Sequence, residues 1–232
     1  RVLFRSVVLG NEELMNYDYS NTVKFPFGYG NSYTEFEYSD YSVKQNSEGN
    51  FDINVTVTNV GDRKGSDVVE VYLQRPYTDY DKANGIEKPS IELAGFAKTK
   101  TLKPDGKGKQ TLSITIDKEQ FKTYDANNNG TYVLESGDYY ISFGLNAHDA
   151  LNNILSKKKA DGVNVDTTKM DYEGNKDYVF KYSQSSFDAT TYSKDSITGN
   201  PVVNEFNDTD ITKFEGTKNL GIKYLSRNNW TG

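Results

Sequence analysis

The run Phe51-Asp-Ile-Asn-Val-Thr-Val-Thr58 alternates strictly between apolar and polar side chains. Successive side chains on a strand point to opposite faces, so this run can bury one face and wet the other only when it is extended. Asn59-Val-Gly-Asp62 ends it with turn-forming residues. The same period returns in Val69, Val71 and Leu73, which alternate with Glu70, Tyr72 and Gln74 until Pro76 removes a backbone donor from the ladder. Ile91, Leu93 and Phe96 mark one further strand, and Leu112, Ile114 and Ile116 another. Between these two, Lys103-Pro-Asp-Gly106 reads as a turn, with Pro presetting φ and Gly accepting a positive one.

Phe36–Val43, Thr131–Leu134 and Tyr139–Phe143 bring the expected number of strands to seven between about Thr34 and Gly144. The fold class predicted is all-β, an immunoglobulin-like or fibronectin type III-like seven-stranded sandwich, spanning residues 34–147. Asp117-Lys-Glu-Gln-Phe121 reads as one helical turn capped by Asp117, with Gln120 three residues on as in a capping box. Two polar loops are expected, Tyr77–Pro89 with its Asn84-Gly85 pair, and Asp125–Gly130.

Beyond Ala147 polar residues dominate and apolar ones are scattered. Asp149–Leu155 is expected to form a short helix with Leu151, Ile154 and Leu155 on one face. Tyr178–Tyr182 and Ile222–Leu225 are expected to form edge strands. The rest of 148–232 reads as an extended, mostly irregular tail. With so thin a core it is expected to pack along other domains rather than fold alone.

Hydrophobic residues make up 35% of the 232-residue chain, while 18 Tyr and 12 Phe supply large buried area that suits strands. Acidic and basic residues are interspersed and the net charge is −6, so nucleic acid is not an expected partner. The chain has no Cys, which excludes disulfides and thiolate metal sites but leaves the compartment unknown. No apolar run approaches the ~20 residues that span a bilayer as a helix, and no membrane partner is expected. Arg1–Ser6 is not a signal peptide and the chain begins without Met, so it is expected to be cropped.

Phe25-Pro-Phe-Gly-Tyr-Gly-Asn-Ser-Tyr-Thr34, followed by Phe36-Glu-Tyr38, resembles the segment leading into the fibronectin type III-like domain of family 3 glycoside hydrolases. The family's usual wording differs only by Leu where Asn31 stands. The likeness continues through Val55–Gly61, Gly65–Gln74, Glu92–Phe96 and Gly137–Ile141. His148–Leu155 and Tyr224–Trp230 look like segments of members in which the catalytic barrel follows this domain. Met15-Asn-Tyr-Asp-Tyr19 stands where the family usually has a Gly-Tyr-Arg-Tyr-type run, which leaves Val7–Lys24 outside the pattern. The resemblance implies that residues 1–33 are a linker from a preceding α/β sandwich domain, and that 148–232 lead towards a barrel.

The resemblance also implies the chemistry of the parent. Retaining glycoside hydrolysis needs two carboxyls roughly 5 Å apart. The family keeps its nucleophile Asp in the barrel and commonly its acid/base Glu in the α/β sandwich domain. A barrel takes about 250 residues of alternating βα units, and this chain has none, so no catalytic residue is expected here. Ser226-Arg-Asn-Asn-Trp230 superficially matches the family's Ser-Asp-Trp context, but Asn229 cannot form a glycosyl ester. No metal or cofactor is expected, because Asp79 with Asp81 and Asp208 with Asp210 fall short of a calcium loop. The lone His148 reads as a satisfied loop histidine.

The expected function is a non-catalytic accessory domain of a family 3 β-glycosidase. Its partners are the barrel and the α/β domain of the same chain, docked through Phe25, Phe27, Tyr29, Tyr33 and Trp230. The bland alternative is that these rings finish the sandwich's own core. Tyr77 and Tyr80 are candidates for a substrate rim that touches oligosaccharide, against the plainer reading of an ordinary loop. A stand-alone carbohydrate-binding module and a cell-surface spacer are the rival functions. The absence of internal repeats counts against the spacer.

Overall fold

A computed structural model describes residues 23–167, 170 and 172–205. Arg1–Ser6, the Ile222–Leu225 strand and Trp230 lie outside the described residues. Two antiparallel sheets face each other. One has three strands in the order β1 (Phe36–Gln45), β2 (Phe51–Asn59), β5 (Gly108–Ile116). The other has four in the order β4 (Glu92–Lys98), β3 (Val68–Gln74), β8 (Gly137–Gly144), β9 (Val179–Gln184). A separate hairpin joins β6 (Thr123–Asp125) to β7 (Thr131–Val133).

The alternation of β2 does what its period requires. Phe51, Ile53, Val55 and Val57 are fully buried, and Phe51, Ile53 and Val55 stand opposite Ile116, Ile114 and Leu112 of β5. On the other face the polar partners bond across the strands: Ser113 Oγ donates to Asn54 Oδ1 at 2.6 Å and Thr115 Oγ1 to Asp52 Oδ1 at 2.7 Å. Val69, Val71 and Leu73 of β3 meet this layer together with Tyr139, Ile141 and Phe143 of β8. The predicted turn is present, with Asp105 at φ +57 and Gly106 at φ +71.

The sandwich has the expected seven strands, but the seventh comes from the tail. β9 pairs with β8, placing Phe180 opposite Ile141 and Tyr182 opposite Tyr139. Phe51 lies 5.0 Å from the Phe121 ring and 5.2 Å from Tyr182, so β9 completes the main core. The Thr131–Leu134 strand expected in the sandwich belongs instead to the short β6–β7 hairpin. Local alternation reports that a segment is extended, whereas sheet membership depends on partners far away in the chain.

The expected edge strand at Tyr178–Tyr182 is thus β9, but up to residue 184 the tail packs on the sandwich itself rather than only along other domains. Among the described residues two α-helices flank the strands, α1 (Asp79–Asn84) inside the first polar loop and α2 (Ala147–Ala160) after β8. α2 runs well past the predicted Asp149–Leu155, capped by the Asn146 side chain, which accepts from Asp149 N at 3.0 Å. Lys157, Lys158 and Lys159 in its last turn suit the negative end of the helix dipole. Leu151, Ile154 and Leu155 pack on the outer face of the four-stranded sheet against Tyr72, Ile91 and Tyr140. His148 is buried in the first turn of this helix rather than placed in a loop.

The helical turn after β5 is a 3-10 turn over Lys118–Phe121. Asp117 caps it through Glu119 N at 2.8 Å, without the Gln120 capping box predicted. The Tyr77–Pro89 loop contains α1, closed by Gly85 at φ +62. After β9 the described chain is irregular, as expected, and Asp188 and Asp195 cap its turns.

Candidate docking surface

The segment before β1 is held down by small and backbone contacts while its rings point outward. Val23 is buried in the second cluster with Tyr72, Ile91 and Tyr140, and Pro26 is buried as well. Ala147 N donates to the Phe27 carbonyl at 2.9 Å, tying the segment to the start of α2, and Tyr29 N donates to Pro26 O at 3.0 Å. Gly28 sits at φ +83 so close to β3 that a Cβ there would lie 2.0 Å from Glu70 Oε2. A side chain at this position would strain the backbone and force the Glu70 carboxylate to move.

With the chain so fixed, Phe25 is 68% exposed, Phe27 50%, Tyr29 47% and Tyr33 90%. The Phe25 and Tyr29 rings pack against each other in a tilted arrangement, with centroids 5.1 Å apart, rather than on the core. These four rings do not finish the sandwich, and Val23 is buried instead in the second cluster. The structure brings a second set of apolar groups to the same side of the molecule. Phe96, Leu93 and Val68 on β4 and β3 are exposed on the outer face of the four-stranded sheet, on the half that α2 leaves open. Sequence reading places Leu93 and Phe96 inside. A β-bulge between Val71 and Tyr72 shifts the register of β4, so Ala94 and Ala97 face the core in their place.

The rim candidates lie in a different setting. Tyr77 is half-buried. The Tyr80 hydroxyl donates to the Asp125 carboxylate and accepts from Asn128 Nδ2 at 3.1 Å and Asn129 Nδ2 at 2.6 Å. Its ring lies 4.8 Å from that of Phe187. Asp125 is fully buried and also accepts from the backbone N–H groups of Asn127, Asn128 and Asn129; against the upward push of burial, the hydrogen bonds from Tyr80, the Asn129 side chain and the backbone of Asn128 and Asn129 hold its carboxyl below the ordinary range. Tyr80 thus pins α1 to the β6–β7 hairpin. Tyr80→Phe is expected to cost about 1–3 kcal/mol in urea unfolding, because the buried carboxylate loses a donor.

Beneath the same loop lies an ionic cluster that sequence reading missed. Lys88 Nζ meets Asp81 Oδ1 at 2.8 Å, contacts Glu135 Oε1, and donates to the Pro76 carbonyl at 2.9 Å. All three charged residues are at most 4% exposed. Thr78 Oγ1 donates to Glu135 Oε2 at 2.9 Å, and Thr78 N to Asp81 Oδ2 at 2.7 Å. Burial pushes the Glu135 carboxyl above its ordinary value, against the pull of the Lys88 ammonium. In sequence, Asp81 and Lys88 look like any solvated loop charges, and no local signal separates them. The cluster ties the loop's two ends to the start of β8 and offers no open face for chemistry. Among the described residues no three His, Cys, Asp or Glu gather to hold a metal ion, and no helix is long and apolar enough to cross a membrane.

A family model named fibronectin type III-like domain matches residues 67–147. Together with the two facing sheets, this match gives the chain a fibronectin type III-like fold. Domains similar to it occur in β-glucosidase B of Emericella nidulans, 41% identical over 132 residues, covering 57% of this chain and 14% of that protein. Thermostable β-glucosidase B of Acetivibrio thermocellus is 40% identical over 128 residues, covering 54% and 16%. An exo-α-(1→6)-L-arabinopyranosidase of Bifidobacterium breve is 32% identical over 144 residues, covering 62% and 18%. Among solved structures, a β-glucosidase of Kluyveromyces marxianus in complex with glucose aligns with 71% of this chain and 16% of its own length, at 28% identity and a TM-score of 0.49. The chain spans less than a fifth of the length of these curated relatives. The fibronectin type III-like domain is thus a small part of each multidomain relative, and the resemblance read from Phe25–Tyr33 and the strands after it agrees with the two relatives named β-glucosidase B.

Proposed function

We propose that this chain is a non-catalytic brace in a larger family 3 β-glycosidase, one that hydrolyses terminal β-linked glucosides or related sugars with retention. The observation that carries this reading is the Phe25–Tyr33 segment, whose backbone is fixed to the sandwich while four aromatic rings stay exposed. Aromatic rings held outward by a rigid backbone lose little further entropy on docking. Their partners are the barrel and the α/β sandwich domain of the same polypeptide. A rim role for Tyr77 and Tyr80 has less support, since the hydroxyl and the ring of Tyr80 are both engaged within the chain.

The isolated chain is expected to leave an aryl β-glucoside intact; turnover by pure protein would overturn the reading. The double variant Phe25→Ser, Phe27→Ser should leave the melting temperature of the isolated chain nearly unchanged, because surface substitutions usually stay within about 0.5 kcal/mol. In the full-length polypeptide the same pair should lower it. Calorimetric titration of the chain with cello-oligosaccharides is expected to be flat. Measurable heat would favour a carbohydrate-binding module.

A further inference from the structure

Glu70 stands in the middle of the exposed apolar face. On the outer side of the four-stranded sheet it lies opposite Phe96, with Val68 opposite Lys98 and Tyr72 opposite Leu93. Gly28, whose chain neighbours are Phe27 and Tyr29, approaches its carboxylate so closely that a Cβ there would fall 2.0 Å from Glu70 Oε2. Glu70 accepts one hydrogen bond, from Tyr72 Oη at 2.5 Å, and among the described residues no ion pair reaches it. Burial holds its carboxyl above the ordinary range, so the charge is already poorly solvated. Covering this face with an apolar surface alone would remove the remaining water from an uncompensated carboxylate, which is unfavourable.

We propose that the surface docking here belongs to another domain of the same polypeptide and brings an arginine to Glu70. This rests on the brace reading and adds the chemistry of the partner surface. A guanidinium can bind the carboxylate through two parallel N–H groups while its plane lies on a neighbouring ring such as Phe27 or Phe96. An ammonium offers neither the fork nor the flat face. A second copy of this chain fits less well. Of the two arginines among the described residues, Arg75 is held by Glu92 and the Gln120 carbonyl, and Arg63 lies beside Asp62.

The test compares Glu70→Gln in two settings. In the isolated chain the substitution removes an uncompensated charge and should raise the melting temperature by about 2–4 °C. In the full-length polypeptide it removes one partner of an ion pair and should lower the melting temperature instead. The same shift in both settings overturns the arginine. If Glu70→Gln acts alike in both while Phe25→Ser, Phe27→Ser acts only in the full-length protein, the brace stands without the arginine. If the aromatic pair also acts alike in both, the brace itself fails. Concentration-dependent dimerisation of the isolated chain, abolished by Phe96→Ser, would assign the face to a second copy and overturn the proposal.

Discussion

Lys88→Met is expected to destabilise the protein by about 3–5 kcal/mol, measured by urea unfolding at pH 7, a large part of the ~5–15 kcal/mol that holds a typical domain together. The ammonium is almost fully buried and touches both Asp81 and Glu135, themselves buried. Methionine fills the space left by the aliphatic stem but abandons two carboxylates out of reach of water. The double variant Lys88→Met, Glu135→Gln should recover part of the loss, because one of the two charges is gone. The defect should also shrink as the pH falls. Glu135 already sits above its ordinary value and rises further without its cation. The folded variant then binds a proton more readily than the unfolded chain, so its stability increases as the pH drops from 7 towards the unfolded value of about 4.3. A loss below about 1 kcal/mol, or one that does not vary with pH, would mean that the cluster is hydrated and contributes little.

Ending the chain at Ala147 is expected to abolish cooperative unfolding, even though the family match stops at that residue. The truncation removes α2 beyond its first residue and all of β9. Leu151, Ile154, Leu155 and Val179 are buried in the second cluster, and each contributes ~1.5–3 kcal/mol. Together these four side chains approach the whole stability of an ordinary domain. Removing them bares Tyr72, Tyr140 and Ile91 on one side, while the loss of Phe180 and Tyr182 opens the main core beside Phe51 and Phe121. Dye binding typical of exposed apolar surface, with far-ultraviolet dichroism retained, is the expected result. A chain ending at residue 205 should unfold in one sharp transition. A sharp transition in the 147-residue form would show that the fibronectin type III-like domain needs neither element.

The difference between the two forms marks where sequence reading reached its limit. Asn175 N reaches Asn153 Oδ1 at 2.7 Å and Gly174 N reaches Ser156 Oγ at 3.1 Å, so the connection into β9 is strapped onto α2. A Cβ at Gly174 would fall 2.2 Å from the Asn152 backbone. None of these residues is conspicuous in a polar, Asn- and Lys-rich stretch.

By itself the sequence determined the local states. The period of two at Phe51–Thr58, Val69–Leu73 and Leu112–Ile116 dictates extended chain with one buried face, and Pro104 with Gly106 dictates the turn between β4 and β5. Such patterns rest on neighbours one to four residues apart, so they can be read without knowing the fold. The tertiary structure decided which strands share a sheet, because the partner of Ile141 is Phe180 and that of Phe51 is Ile116. It decided that Phe25, Phe27, Tyr29 and Tyr33 stay outside while Val23 goes in, a choice that composition leaves open because a ring suits a core and an interface equally. It also decided which charges are buried. Asp81, Lys88 and Glu135 share their residue types with many solvated neighbours, and only their meeting across the loop removes them from water.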